Sequence, residues 1–453
     1  MSLRFCSNTL DRTFIGIDRK GEDALLKLAT IESTRWLLVY DSSKILCEKK
    51  DGNIKLAELN SKSLLRALGE HKNKNIKDII LGDDVYNISV LGFKTFQYLD
   101  KKICYICIGL EKGEIDKEED AIIRRIDESS ETNDNYDKNL SPFQFQGQRG
   151  LVLSLSKEDS SIAGQAISMM HFHKTNAFAG NNAERTKSIE LGTKRSFLKD
   201  KKVYPRLDPV AIALIINSDG TKCLLGRMKG APQGFFSCLS GFIEQCESVQ
   251  NAVRREVYEE AGIQVGEVIL YDSQPWPLGR GGSCELMIGC IGIALTEEIN
   301  ITEIDAVEEI CWFDRNEIAI MLDKSKLPIQ ANVKDQAKFI PGDYAIAHHL
   351  IKAFIDNNFD KSKSLFPSNS ISVNNTPVAT PQSSSSSSKL SVKTPIESQP
   401  GIEEIISSGK SQALMDKKSM ETKSVRNILK LVSSLTITTS MAFAGIYLKK
   451  KKW

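Results

Sequence analysis

The sequence predicts an α+β protein of more than one domain, and three observations carry that reading. Its 453 residues exceed what one ordinary core organises. Short apolar runs of strand length, separated by polar turns, recur from Trp36 to Ala294. One well-signalled amphipathic helix, Val249 to Ala261, interrupts the strands of the central region. Apolar residues at 41% and charged residues at 26% are the values of soluble globular chains, and a net charge of +2 spread over both signs gives no basis for a nucleic-acid-binding face.

Residues 1–145 read as a mixed α/β amino-terminal domain, with strands at Trp36–Tyr40, Ile79–Leu81 and Ile106–Ile108 and a helix over Ala121–Asp127. Glu128–Asn139 is acidic and Asn-rich, the composition of a linker. Among ten cysteines only Cys104 and Cys107 form a Cys-x-x-Cys pair. Three apart on a strand, they face opposite ways, and no second pair completes a zinc knuckle, so both read as buried structural thiols. The lack of a paired framework fits a reducing compartment. The amino terminus lacks an apolar stretch of signal-peptide length, and no cleaved targeting sequence is expected there.

Residues 146–203 hold a helix over Asp159–His171 and then a Gly/Asn/Lys-rich connection. Residues 204–358 form the central region, with strands at Val210–Asn217, Lys222–Arg227 and Leu286–Ala294. Residues 359–426 are rich in Ser, Pro, Thr and Lys, with six serines at Ser383–Ser388, and cannot bury enough apolar area to fold. This segment reads as a disordered spacer. Residues 427–453 contain an uncharged run, Leu431–Leu448, followed by four lysines. As a helix the run spans about 27 Å, near the thickness of a thin bilayer, and it reads as a transmembrane helix, with a peripheral amphipathic helix as the alternative.

Chemistry concentrates in one motif. Gly241 is followed by Glu247 and then by Arg255-Glu-Val-Tyr-Glu-Glu-Ala-Gly-Ile263. Ser248 suits the helix amino-terminal cap and Gly262 the carboxyl-terminal stop. Between them Glu256, Glu259 and Glu260 fall three and four apart, on one helical face. Acids so close repel one another unless a cation lies between them, and hard oxygen donors suit Mg²⁺ or Mn²⁺, ions that also bind phosphate oxygens. Arg255, four before Glu259, is placed to orient it.

Three further motifs flank this one: Val203-Tyr-Pro-Arg-Leu-Asp-Pro-Val210, Ser273-Gln-Pro-Trp-Pro277, and Phe339-Ile-Pro-Gly-Asp-Tyr-Ala-Ile-Ala-His-His-Leu-Ile351. With the acidic motif they resemble the NADH pyrophosphatase branch of the Nudix hydrolases, particularly its peroxisomal and plant-type members, over residues 147–356. The resemblance implies a Nudix α/β/α sandwich on a mixed sheet. It implies metal ligation by the Ser240 carbonyl with Glu256, Glu259 and Glu260, and catalytic roles for Glu259, Arg255 and Glu247, the general base being Glu259 or a downstream glutamate. Substrate contacts would fall on Tyr204, Gln274, Pro275, Trp276, Pro277 and Ala347.

The implied reaction is attack by metal-activated water on the diphosphate bond of NAD(H), giving nicotinamide mononucleotide and AMP, with NAD-capped RNA as a further substrate and a homodimer as the working form. The alternatives are a hydrolase of ADP-ribose or FAD, or a catalytically weak membrane-tethered scaffold. Three departures stand out. The zinc-ribbon cysteines of that branch fall on Ala179, Asn182, Lys194 and Lys199, so zinc is not expected. A further metal-binding glutamate falls on Ala306, with Asp305, Glu308 and Glu309 nearby. Leu278-Gly-Arg-Gly-Gly-Ser283 replaces the usual continuation of the tryptophan motif. The short basic-ended carboxyl terminus resembles the tail anchors of mitochondrial outer-membrane or peroxisomal proteins, which leave the catalytic region facing the cytosol.

Overall fold

The structure, a computed structural model, describes residues 3–356 apart from 8, 15–16, 22, 70–73, 82–85, 97–100, 112–117, 128–137, 199–200, 280–281 and 302–306. The spacer, the uncharged carboxyl-terminal run, Lys199, Asp305 and Ala306 lie outside the described residues. Among those described, no helix is long and apolar enough to cross a membrane.

The amino-terminal sheet contains β1 (Arg35–Tyr40), β2 (Lys44–Lys50), β3 (Asn53–Leu56), β4 (Asn87–Phe96), β5 (Lys101–Leu110) and β6 (Phe143–Gln146). Its order is β3-β2-β1-β5-β4 with β6 on β2, and β1 runs parallel to β5. The period of two decides which residue meets which layer. Trp36, Leu38, Cys104 and Ile106 pack against the helices α1 (Ala24–Ala29), α2 (Ser61–Ala67), α3 (Ile76–Leu81) and α4 (Glu118–Ile126). Leu37, Val39, Tyr105 and Cys107 face α5 (Gln148–Leu153) and the long α6 (Lys157–Thr175). Cys104 and Cys107 therefore sit in different cores, and burial pushes the Cys104 thiol up to about 12.

Two sequence readings need correction. Ile79–Leu81 is helix, not strand: the Asn75 side chain accepts from the Asp78 amide at 3.1 Å while Asp78 accepts from the Asn75 amide at 2.8 Å, a reciprocal cap that starts a turn of helix. The connection before Tyr204 contains a three-stranded sheet, β7 (Lys187–Ile189), β8 (Lys194–Phe197) and β9 (Lys201–Val203). Charge and hydrogen bonding hold it. Lys194 and Lys202 each reach Glu190 at 2.6 Å, and their hydrogen bonds pull its carboxyl down to about 2. Of the zinc-equivalent positions described, Ala179 is buried, Asn182 donates to Glu184 and Lys194 is in this clamp. Purified protein is accordingly expected to contain no zinc by elemental analysis, and EDTA to leave its melting temperature unchanged.

Beneath that sheet, buried Arg195 donates to Nδ1 of His173 at 2.8 Å, so the imidazole is neutral and its Nε2–H donates to the Gly192 carbonyl at 2.9 Å. Burial, reinforced by the guanidinium, lowers His173 from 6.5 to about 4. Below pH 6.5 the unfolded chain takes up a proton that the folded one declines until about pH 4, so stability falls as pH falls through this window. The gap is worth roughly 3 kcal/mol. Urea midpoints at pH 7 and 4.5 check it: His173→Gln, which keeps an acceptor for Arg195 and a donor for Gly192, is expected to flatten this part of the dependence.

The central sheet contains β10 (Asp208–Ile216), β11 (Lys222–Met228), β12 (Leu239–Phe242), β13 (Val265–Trp276), β14 (Glu285–Ala294) and β15 (Val307–Asp314). The order is β13-β14-β10-β11-β15 with β12 on β10; β10 is parallel to β14 and antiparallel to β11 and β12, so the sheet is mixed. Ala211, Ala213 and Ile215 of β10 pack on α7 (Val249–Ala261), whose close approach the small alanines permit. Ile212, Leu214 and Ile216 pack on the other layer, with α8 (Arg315–Lys324) and α10 (Ile346–Ile355); the short α9 (Ile329–Lys334) lies between these two in sequence. At roughly 1.5–3 kcal/mol for each fully buried aliphatic chain, these two layers fix β10 as the centre of the domain.

The first residues do not stay within the amino-terminal domain. Leu3 is buried in the central-domain core, while Phe5 joins the core beneath α6 and meets Trp276 edge-on at 5.8 Å between ring centroids. Arg4 donates from its amide to the Tyr344 carbonyl, and Ser7 from its amide to Ser161 on α6. This arm ties the two sheets together.

Candidate active site

Helix α7 begins where the Ser248 hydroxyl accepts from the Asn251 amide at 3.3 Å and ends at Gly262, whose φ of 71° closes the last turn in the left-handed region. Its acidic side overlooks β12. A Cβ on Gly241 would run into the Glu256 carboxylate, so the glycine opens a cradle in which a charged group lies directly against strand backbone.

Arg255 organises the rest. Its Nε and Nη2 grip Glu247 at 2.9 Å each, its Nη1 reaches Glu256 at 2.8 Å and Glu259 at 2.9 Å, and Nη2 also donates to the Phe242 carbonyl. The bidentate grip on Glu247 is the largest influence raising the guanidinium further above its usual value, and the same contact lowers the Glu247 carboxyl. One arginine therefore ties helix, strand and the loop between them into a single charged assembly.

A pocket of about 460 Å³ opens beside it, lined by Ser240, Gly241, Arg255, Glu256, Glu260 and Trp276 among others. Glu260 is almost fully buried. Glu259 does not line this pocket; its side chain is 40% exposed and turned to Arg255. The sequence placed three carboxylates on one face, whereas the structure lines the pocket with Glu256 and Glu260 and turns Glu259 away from it, to the arginine that also holds Glu256. Among the described residues no three acidic, His or Cys side chains converge as a metal-holding group. The pocket instead offers the Glu256 and Glu260 carboxylates of α7 with the Ser240 segment, oxygen donors beside the Gly241 cradle, and this set suits a hard divalent cation.

The remaining predicted site residues divide between places. Trp276 lines the acidic pocket; Tyr204, Pro275 and Pro277 line a second cavity. Gln274 is buried, its amide donating to the Arg4 and Tyr344 carbonyls and its oxygen accepting from the Ile346 amide. Ala347 is buried in the core under α10. Both therefore shape the scaffold around the pockets in this structure and line neither. Two acids that the sequence reading passed over, Glu244 and Glu285, do line the acidic pocket. Glu285 begins β14 one residue before the predicted strand, and its parity with Met287, also in the lining, was the available signal.

Residues 206–336 match the NUDIX domain family. The chain is 40% identical over 216 residues to the human NAD-capped RNA hydrolase NUDT12, a match covering 46% of this chain and 44% of that protein. It is 35% identical to Nudix hydrolase 19, chloroplastic, of Arabidopsis thaliana, over 44% of this chain and 52% of that one. It is also 35% identical to the human mitochondrial NAD(P)H pyrophosphatase NUDT13, over 46% and 58%. The matches thus span about half the length of these relatives. The central domain, whose acidic helix and glycine cradle have just been described, matches the NUDIX domain family, and the chain is similar to the NADH pyrophosphatase branch of the Nudix hydrolases.

Proposed function

We propose that this protein hydrolyses the diphosphate bond of NAD(H) to nicotinamide mononucleotide and AMP, and accepts NAD-capped RNA as a further substrate. The observation that carries the reading is the acidic pocket, which Glu256 and Glu260 line together with the Gly241 cradle and Trp276. The similarity to proteins named for NAD-capped RNA and NAD(P)H supports the choice of substrate.

Water oxygen forms a bond to one phosphorus as the bridging P–O bond breaks, and the water's proton passes to a glutamate, Glu259 or another acid of the site. Arg255 holds Glu247, Glu256 and Glu259 in place and lowers the Glu247 carboxyl. Trp276 presents a flat apolar surface to a planar ring. Mg²⁺ or Mn²⁺, held by Glu256, Glu260 and the Ser240 carbonyl with support from Glu259, would supply Lewis acidity toward the phosphoryl oxygens. Incubation of the full chain with NADH, NAD, ADP-ribose, FAD and NAD-capped RNA plus Mn²⁺, beside a Glu259→Gln control, tests the reading. Turnover of ADP-ribose or FAD alone would move the assignment to those substrates; no turnover at all would make the protein a scaffold.

The uncharged run before the terminal lysines supports a tail anchor in an organelle membrane, mitochondrial outer or peroxisomal, with the catalytic region facing the cytosol. A chain truncated at Lys423 is then released by carbonate extraction while the full chain is retained. A homodimer is the expected working form, which light scattering on the purified protein checks.

A further inference from the structure

We propose that the amino-terminal arm belongs to the working site and that Phe5 is a positioning residue, which holds the Trp276 indole in the orientation that meets a planar ring of the substrate. The inference rests on the diphosphatase reading, in which Trp276 supplies that surface. The indole is half-buried: it lines the acidic pocket and also packs on the core beneath α6. Within that core the Phe5 ring meets it at 5.8 Å between centroids and 89° between planes. A perpendicular aromatic pair has a preferred geometry, so the contact resists rotation of the indole as well as burying it.

The backbone of the arm is arranged around this contact. Phe5 has a φ of 62°, in the left-handed region that a bulky side chain rarely occupies. Such a conformation persists where its surroundings over-determine it, and both flanks of Phe5 are fixed. On one side the Arg4 amide donates to the Tyr344 carbonyl at 3.3 Å, and the Arg4 carbonyl accepts from Nε2 of Gln274 at 3.1 Å. On the other the Ser7 amide donates to the Ser161 hydroxyl at 3.0 Å. Between these anchors the Phe5 ring lies against Gly164 of α6, where an added Cβ would come within 2.9 Å of Phe5 Cδ1 and 2.7 Å of Pro277 Cγ. Gln274 thus fixes the arm, and the arm fixes Trp276 two residues further along the same strand. Gln274 is itself tied to α10, its oxygen accepting from the Ile346 amide at 2.8 Å. An indole released from this hold turns on its pocket side, which weakens binding of the substrate and its transition state alike and leaves Glu256 and Glu260 untouched.

Phe5→Leu in the full chain keeps an apolar side chain in the core and removes the ring. KM for NADH is expected to rise about fivefold with kcat unchanged, and Phe5→Tyr to restore most of the wild-type value. Trp276→Ala raises KM further, and adding Phe5→Leu to it is expected to cost nothing more, because the phenyl ring acts through the indole. Leu10→Ala, in the same core, controls for packing: it lowers the melting temperature and leaves KM as in the wild type. An unchanged KM in Phe5→Leu, a loss confined to kcat, or a defect that multiplies with that of Trp276→Ala would overturn the proposal. Acrylamide quenching reads the indole without a substrate. Trp276 emission, taken as the difference between each chain and its Trp276→Phe counterpart, is expected to be quenched more steeply in Phe5→Leu than in the wild type. Should the wild type turn over no NADH, the diphosphatase reading fails; steeper quenching would still establish the arm's hold on the indole, and equal quenching would sink that as well.

Discussion

Glu256→Gln is expected to lower NADH turnover about 1,000-fold, the equivalent of roughly 4 kcal/mol of lost transition-state stabilisation. The Glu256 carboxylate lies against the open backbone of Gly241, and Glu256 is one residue from the guanidinium that steadies it at 2.8 Å. Glutamine keeps the volume and an oxygen for Arg255 but removes the negative charge on which a divalent cation depends. The fold should not suffer. Three acids, Glu247, Glu256 and Glu259, crowd a single arginine and Glu260 lines the same pocket as Glu256, so deleting one charge relieves repulsion and the melting temperature should hold or rise. Titration of activity with Mn²⁺ separates this account from a general packing defect: the variant should need more metal for half-maximal rate, whereas a merely misfolded fraction would lower the plateau without moving the midpoint.

The parts of this architecture that were legible in the sequence are those where local signals agree with tertiary demands. Ser248 and Gly262 marked the ends of α7 because their capping roles need only neighbouring backbone. The apolar run within Val210–Asn217 marked a strand, which the structure buries between two layers. Cys104 and Cys107 could be assigned to opposite faces from their spacing alone. What escaped depended on contacts distant in sequence. The strands β7 to β9 are short and lysine-rich, and they hold through Glu190 and through Arg195 reaching His173 on α6. The short apolar run at Ile79 carried no periodicity to separate helix from strand, and only the Asn75–Asp78 cap decides it. In the site, a motif gave residue identities without orientation. Ser273-Gln-Pro-Trp-Pro277 is strand-like to Trp276, so its members distribute to the scaffold, one cavity and the other pocket in turn. Glu259, equally, was placed on the acidic face by spacing, but the nearer charge of Arg255 claims it.

Gly241→Ala should reproduce most of the Glu256→Gln defect without touching a charged residue. The methyl group would occupy the space of the Glu256 carboxylate, which must then leave the strand or push β12 from β10. Moving the strand is the costlier course. Gly241 pairs with Ala211 and its neighbour Ser240 with Ile212, and these β10 residues are packed between two helical layers. The carboxylate has a free path by comparison, because it sits at the pocket wall and Arg255 can follow it. A displaced Glu256 presents its oxygens a methyl's breadth from their former place, and errors of about 1 Å at a reacting centre cost on the order of 100-fold in rate. Overpacking at such a site adds roughly 1–3 kcal/mol of destabilisation, which thermal melting would register. The double variant Gly241→Ala with Glu256→Gln decides the cause. If the glycine serves only to house that carboxylate, the second change adds little further loss of turnover, and the two defects combine to much less than their product. If Gly241 were needed for strand geometry in its own right, the losses would multiply.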